Sequence, residues 1–292
     1  MKKLIFKIVI SSYCLLLVAC QKETDHSIKG GILFLGHTYQ SETEVDERLV
    51  KLGLDRYEHI WLGGDICGAS DRKRSTVEYV NNLFNLNKAG NHWALGNHDI
   101  HDNNYHWIEE VTGKPEFYTE YNDGLTVMVI NTNLYEPECD RLAAQYEMFK
   151  NVCDTISESS HLVVLSHHVV WNHVREIPNL WERANANKPF WEARCEPNSR
   201  FEQVMYDQLI EVQNRGVQVL ILAGDYGQKE KFFQQKANSG IWFFGSGIDH
   251  SNRYMPDSLK DSAKDLILFF QHDKVEKTLD WQFLDLDSLV QK

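Results

Sequence analysis

Five short polar clusters hold the side chains in this chain best suited to bind a cation or move a proton. They are His37, Asp65 behind Gly63-Gly64, Asn97-His98-Asp99 behind Gly96, His167-His168 behind Ser166, and Asp225 behind Gly224. Carboxylate, amide oxygen and imidazole together suit divalent ions such as Zn, Mn or Fe(II). Each cluster alone has an ordinary reading. A Gly-Asp after a strand is usually a turn or a helix cap, and a His pair usually lies in a solvated loop. Their shared position outweighs that reading, because each follows a short apolar run. The glycines at 63, 64 and 96 permit tight turns that aim the next side chain.

The apolar runs that position these residues read as strands. Ile32-Leu33-Phe34-Leu35 ends at Gly36-His37, His59-Ile60-Trp61-Leu62 ends at Gly63-Gly64-Asp65, and Trp93-Ala94-Leu95 ends at Gly96-Asn97. Residues 162–165 run into Ser166-His167, and 217–222 run into Ala223-Gly224-Asp225. Helical spacing between them predicts helices over 44–54, 75–87, 104–111, 141–156 and 201–214, the last closed by Gly216. Asn122-Asp123-Gly124 predicts a hairpin joining 117–121 to 125–130. Further strands are predicted near 231–237, 241–244, 265–271 and 275–284. Strands that alternate with helices and then cluster predict a layered α/β sandwich in one domain over 30–292. The carboxyl ends of its strands would line the ligand crevice. Residues 169–200 carry Trp171, Trp181 and Trp191 with little periodicity, and read as an irregular insertion that serves as a lid or binding loop. His173 and Arg175 within it are candidate substrate contacts.

In order and spacing, Gly63-Gly64-Asp65, Gly96-Asn97-His98-Asp99 and Ser166-His167-His168 resemble the motif blocks of the calcineurin-like metallophosphoesterases, over roughly residues 30–250. The resemblance implies a four-layer α/β/β/α sandwich that holds two metals and hydrolyses phosphomonoesters or phosphodiesters. It implies that Asp65 bridges the metals and that Asn97 and His167 bind the second one, His168 being the lesser choice. It implies that His98 contacts phosphate and assists the leaving group, that Asp99 orients His98, and that His37 belongs to the first metal.

The chain also departs from that pattern. Leu35-Gly36-His37 lacks the aspartate of the first block, and Gly224-Asp225-Tyr226-Gly227 lacks both histidines of the last. The first metal therefore keeps His37 and Asp65 alone. The second keeps Asp65, Asn97 and His167 and gains Asp225, a competent ligand. The expectation is one divalent ion (Mn, Zn, Fe or Mg) and a phosphoesterase that works through metal-activated water. A catalytically weak relative acting as an extracytoplasmic binding lipoprotein is the alternative. No Gly-x-Ser-x-Gly elbow and no Gly-rich loop with Lys is present, which argues against a serine hydrolase or an NTPase.

Lys2, Lys3 and Lys7 precede an apolar stretch from Ile8 to Val18 that ends in Leu17-Val18-Ala19-Cys20. This looks like a bacterial lipoprotein signal over 1–19, with lipidation at Cys20 and a polar tether over 20–29. An uncleaved anchor is the other reading. The membrane would then be a partner through Cys20, in the extracytoplasmic cell envelope. The net charge of −12 becomes −15 once residues 1–19, with three lysines and no acid, are removed. Such a charge argues against nucleic acid and leaves a small phosphate ester as the expected partner. Oligomeric state is not legible. Cys67, Cys139, Cys153 and Cys195 remain, and their pairing cannot be read from spacing.

Overall fold

Alternation decides the architecture. In Ile32–Leu35 (β1) the even-numbered side chains, Ile32 and Phe34, enter one apolar layer, while Leu33 and Leu35 enter another. A strand buried on both faces belongs in the middle of a layered protein. The computed structural model describes residues 30–172, 174–177, 184, 185, 195, 201–249, 257–260 and 262–290. The expected signal, tether and Cys20 lie outside them, as do His173, Trp181, Trp191 and His250.

After β1 come α1 (Glu47–Lys51), β2 (His59–Leu62), α2 (Arg74–Phe84), β3 (His92–Trp93) and α3 (Tyr105–Thr112). The hairpin β4 (Tyr118–Asn122) and β5 (Leu125–Val129) leads to α4 (Cys139–Thr155) and β6 (His161–Ser166). Then follow α5 (Phe201–Val204), α6 (Tyr206–Asn214), β7 (Gln218–Ala223), β8 (Phe232–Lys236) and β9 (Trp242–Ser246). The last elements are α7 (Asp257–Lys260), β10 (Leu266–Asp273), β11 (Thr278–Asp285) and α8 (Leu286–Val290).

These strands form two mixed sheets, ordered β11-β10-β1-β2-β3 and β4-β5-β6-β7-β9-β8. β1, β2 and β3 are parallel in the first sheet, and β5, β6, β7 and β9 in the second. Phe34, Trp61, Val163, Leu220, Phe244 and Phe270 fill the space between the sheets. Leu33, Leu62, Val77, Val80 and Phe84 join the first sheet to its helices. Val164, Ile221, Phe149, Leu209 and Val212 do the same for the second. The result is the α/β/β/α order that the resemblance implies.

Differences from the sequence reading are local. The helix expected over 44–54 shrinks to α1, capped by Asp46 Oδ1, which accepts from the Arg48 N–H at 2.9 Å. Helix α2 stops at Asn85 in the left-handed region, short of 87. The 201–214 helix is broken at Met205. The strand expected over 93–95 pairs at His92 and Trp93, and Ala94 adds one bond to Leu62 O. Much of the described part of the insertion is core: Val169, Val170, Trp171, Val174, Ile177 and Ala184 enter the outer layer. Trp171 packs on Phe233 and Phe243, which gives it a packing role. Cys139 and Cys195 form a disulfide that pins the far end of the insertion to the start of α4.

Candidate metal centre

The ends of β1 and β2 turn in the same unusual way. His37 and Asp65 both have positive φ, 51° and 55°. For residues with a Cβ this region costs on the order of 1 kcal/mol, so the surroundings must impose it. Here the two loops brace each other. His37 N–H donates to Gly64 O at 2.8 Å, and Thr38 N–H to Asp65 O at 2.9 Å. The glycines are required by contact. A Cβ on Gly64 would lie 2.6 Å from His167 Nδ1, and one on Gly96 would lie 2.1 Å from Asp65 Oδ1.

Asp65 is buried, and its Oδ1 accepts the His98 N–H at 2.9 Å. Its Oδ2 lies 3.4 Å from His167 Nε2. His167 Nδ1 is 2.8 Å from Gly63 O. A carbonyl only accepts, so Nδ1 carries the proton and Nε2 is the ligand-type atom. That Nε2 is buried and has no hydrogen-bond partner. Burial pulls the His167 pKa down, but the Asp65 and Asp225 carboxylates outweigh it and raise it to about 10. Burial pushes Asp65 up, and His167 with His37 and His98 holds it well below the usual carboxylate range. This pocket favours positive charge.

His167, His168 and Asp225, all buried, offer ligand atoms within 4.8 Å of one another, a spacing suited to one cation. Asn97 Oδ1 is 3.2 Å from His168 Nε2. Thr132 Oγ1 accepts the His168 backbone N–H at 3.2 Å and contacts His168 Nδ1 at 2.8 Å. Burial, with His167 alongside, keeps His168 well below its ordinary pKa, and therefore neutral. The residues fit a divalent cation: a buried unpartnered imidazole nitrogen, a second neutral imidazole and two carboxylates. His168, ranked below His167 from sequence, is a full member of the cluster. Thr132, whose hydroxyl meets His168 Nδ1 and accepts its backbone N–H, was missed because nothing local marks it.

Other site expectations change. The resemblance has Asp99 orient His98, yet His98 Nδ1 is held by Gly68 O at 2.8 Å. Asp99 Oδ2 instead accepts from Asp65 N–H (2.7 Å), Gly96 N–H (2.9 Å) and Trp93 Nε1–H (3.1 Å). Its Oδ1 accepts from Ile66 N–H (2.9 Å) and Ser70 Oγ–H (2.7 Å). Asp99 ties the Asp65 loop to the Asn97 loop. Its carboxyl is nonetheless raised, by burial and then by Asp65.

His37 also departs from expectation. Its Nδ1 meets Ile248 O at 3.1 Å, which leaves Nε2 as the lone pair, and the Gln228 amide nitrogen donates to that lone pair at 3.1 Å. Leu35, where the aspartate would stand, is buried in the helix-side layer. Arg175 is exposed and has no hydrogen bond or ion pair among the described residues. Cys67 is a buried thiol, pushed up to about 12 by burial and then by Asp99. His92 is buried at the start of β3, at the end of the sandwich opposite this centre.

The fold and site together define a two-sheet α/β chain with a His-His-Asp candidate metal site. No family model matches the chain, and no curated protein does. It is similar to the crystal structure of a dimetal phosphatase from Danio rerio, at TM-score 0.49 and 11% identity, over 88% of this chain and 96% of that one. It is also similar to the phosphopantetheinyl hydrolase of Mycobacterium tuberculosis, at TM-score 0.43 and 11% identity, over 80% and 95%.

Proposed function

We propose that this protein is a metal-dependent phosphoesterase with a single-cation centre. The observation that carries the reading is the buried His167 Nε2, which makes no hydrogen bond and faces Asp65 Oδ2 across 3.4 Å, within the cluster His167 forms with His168 and Asp225. His167, His168 and Asp225 would hold the ion, with Asp65 and the Asn97 oxygen bordering it. A bound divalent ion supplies Lewis-acid polarisation of a phosphoryl oxygen and acidifies a water.

The chain's own residues do the rest. His98 is half-buried at the rim, and the Gly68 carbonyl keeps its Nδ1 protonated. In the protonated ring its Nε2–H is left to touch phosphate and would pass its proton to the leaving oxygen, returning the ring to the neutral Nδ1–H form. Asp99 fixes the loop that presents both Asp65 and His98. Gln228 beside His37 and Leu35 in the apolar layer support one ion rather than two.

The test is a calorimetric Mn titration followed by assays on p-nitrophenyl phosphate and bis(p-nitrophenyl) phosphate. A stoichiometry near one and activity lost in Asn97→Ala and His98→Ala support the reading; a count near two sinks the single-ion part. The Gln228–His37 contact also favours a second reading, a binding relative with little turnover. Stoichiometric Mn binding with no hydrolysis on either ester would select it. Export on a lipid anchor at Cys20 belongs to the same proposal, and the Cys139–Cys195 disulfide supports an oxidising compartment.

A further inference from the structure

A second imidazole stands beside His98 that neither the cation cluster nor the motif blocks use. The rings of His98 and His101 are nearly parallel, with centroids 6.5 Å apart and planes at 30°. Tyr39 covers another side of His98, at 5.1 Å. His101 is exposed, yet its orientation is set. Its Nδ1 lies 2.8 Å from Asp102 Oδ1. A carboxylate accepts, so Nδ1–H donates to it, and in the protonated ring the Nε2–H is the donor left to act.

Asp102 is anchored in turn. Its Oδ2 accepts from Arg72 Nε at 3.3 Å, and both oxygens of Asp71 accept its backbone N–H at 3.0 Å. Asp71 is fully buried and also accepts the Asn104 N–H at 2.8 Å. The hydrogen bond from His101, then the Arg72 contact, holds the Asp102 carboxyl below its usual range. A carboxylate that fixes an imidazole tautomer is the arrangement proteins use where the other ring nitrogen has work to do.

The spacing suits one ligand group. The ring centroids are 6.5 Å apart, and an N–H on each ring, reaching about 2.8 Å, would meet different oxygens of one tetrahedral group held between them. Substrate chemistry then narrows. A diester has two non-bridging oxygens, which the cation and His98 would occupy. A monoester has a third.

We propose that His101, oriented by Asp102, contacts that third oxygen and so selects terminal phosphomonoesters. This rests on the phosphoesterase reading of the same site. His101 touches substrate, and Asp102 is its positioning residue.

The experiment compares full-length wild type, His101→Ala, His101→Gln and Asp102→Asn, each loaded with Mn. In His101→Ala, KM for p-nitrophenyl phosphate should rise about tenfold, roughly 1.4 kcal/mol, while KM for bis(p-nitrophenyl) phosphate stays within twofold. His101→Gln keeps a donor and should recover part of the loss. Asp102→Asn should sit between wild type and His101→Ala. Equal changes on both esters, or none on the monoester, overturn the proposal. A second readout does not need turnover: the calorimetric Kd for inorganic phosphate should weaken about tenfold in His101→Ala. An unchanged Kd, or no phosphate binding by the wild type, also overturns it. Phosphate binding that depends on His101 in a protein that hydrolyses neither ester would sink the phosphoesterase reading and leave the His101 contact standing. Unchanged Mn affinity and melting temperature in all variants separate this role from a structural one.

Discussion

The Gln228 amide nitrogen sits 3.1 Å from His37 Nε2, across 191 residues of chain. Ile248 O takes the other ring nitrogen at 3.1 Å. Both polar atoms of this imidazole are therefore committed within the protein. His37→Ala is expected to change Mn affinity less than threefold, and Gln228→Ala to leave the stoichiometry near one, because Leu35 still stands where a carboxylate would be needed. Calorimetry of both variants checks this; a clear affinity loss in His37→Ala would show that His37 is a ligand.

Asp99 is a structural keystone in this site. Its two oxygens receive five donors, and no water is needed to satisfy it. In Asp99→Asn one oxygen becomes an NH2 that must face N–H or O–H donors. An unsatisfied buried donor costs about 1–3 kcal/mol, so Asp99→Asn should lose about 3 kcal/mol in urea unfolding. Mn affinity should fall with it, because Asp65 is presented by the same loop. A variant with wild-type stability would refute the assignment.

Two glycines separate strain from contact. Gly64 (φ 85°) would place a Cβ 2.6 Å from His167 Nδ1 and 2.7 Å from Gly96 N. Gly113 (φ 71°) caps α3 with nothing within 4 Å of a Cβ. Gly113→Ala should cost about 1 kcal/mol from backbone conformation alone. Gly64→Ala should cost at least ~2 kcal/mol and also weaken Mn binding, read by thermal melts with and without the ion.

Among the described residues, His59, His92, His161 and His272 lie at the end of the sandwich opposite the site. Burial is the first cause lowering His59, His92, His161 and His272, and takes His161 down to about 4. A folded pKa below the unfolded value of about 6.5 means the unfolded chain binds the proton more readily. The stability these groups contribute is therefore present above pH 6.5 and lost as pH falls towards 4. His161 alone predicts a loss of about 2 kcal/mol at pH 5 relative to pH 7.5. Urea midpoints across that range should fall, and His161→Gln should flatten the slope. A midpoint insensitive to pH there would contradict it.

The local sequence determined a good deal. Short apolar runs marked β1 and β2 as buried strands, Asn122-Asp123-Gly124 marked the β4–β5 hairpin, and five polar blocks marked the strand ends that meet at the cleft. Those signals are local, set by side-chain periods and turn chemistry that need no partner. What only the tertiary structure decided are the pairings across distant loops. They include Gln228 on His37, Gly68 rather than Asp99 on His98, Thr132 behind His168, and Cys139 with Cys195. Each depends on a side-chain direction set by positive φ or by the meeting of two sheets. No periodicity in the chain records which atom stands opposite once the layers close.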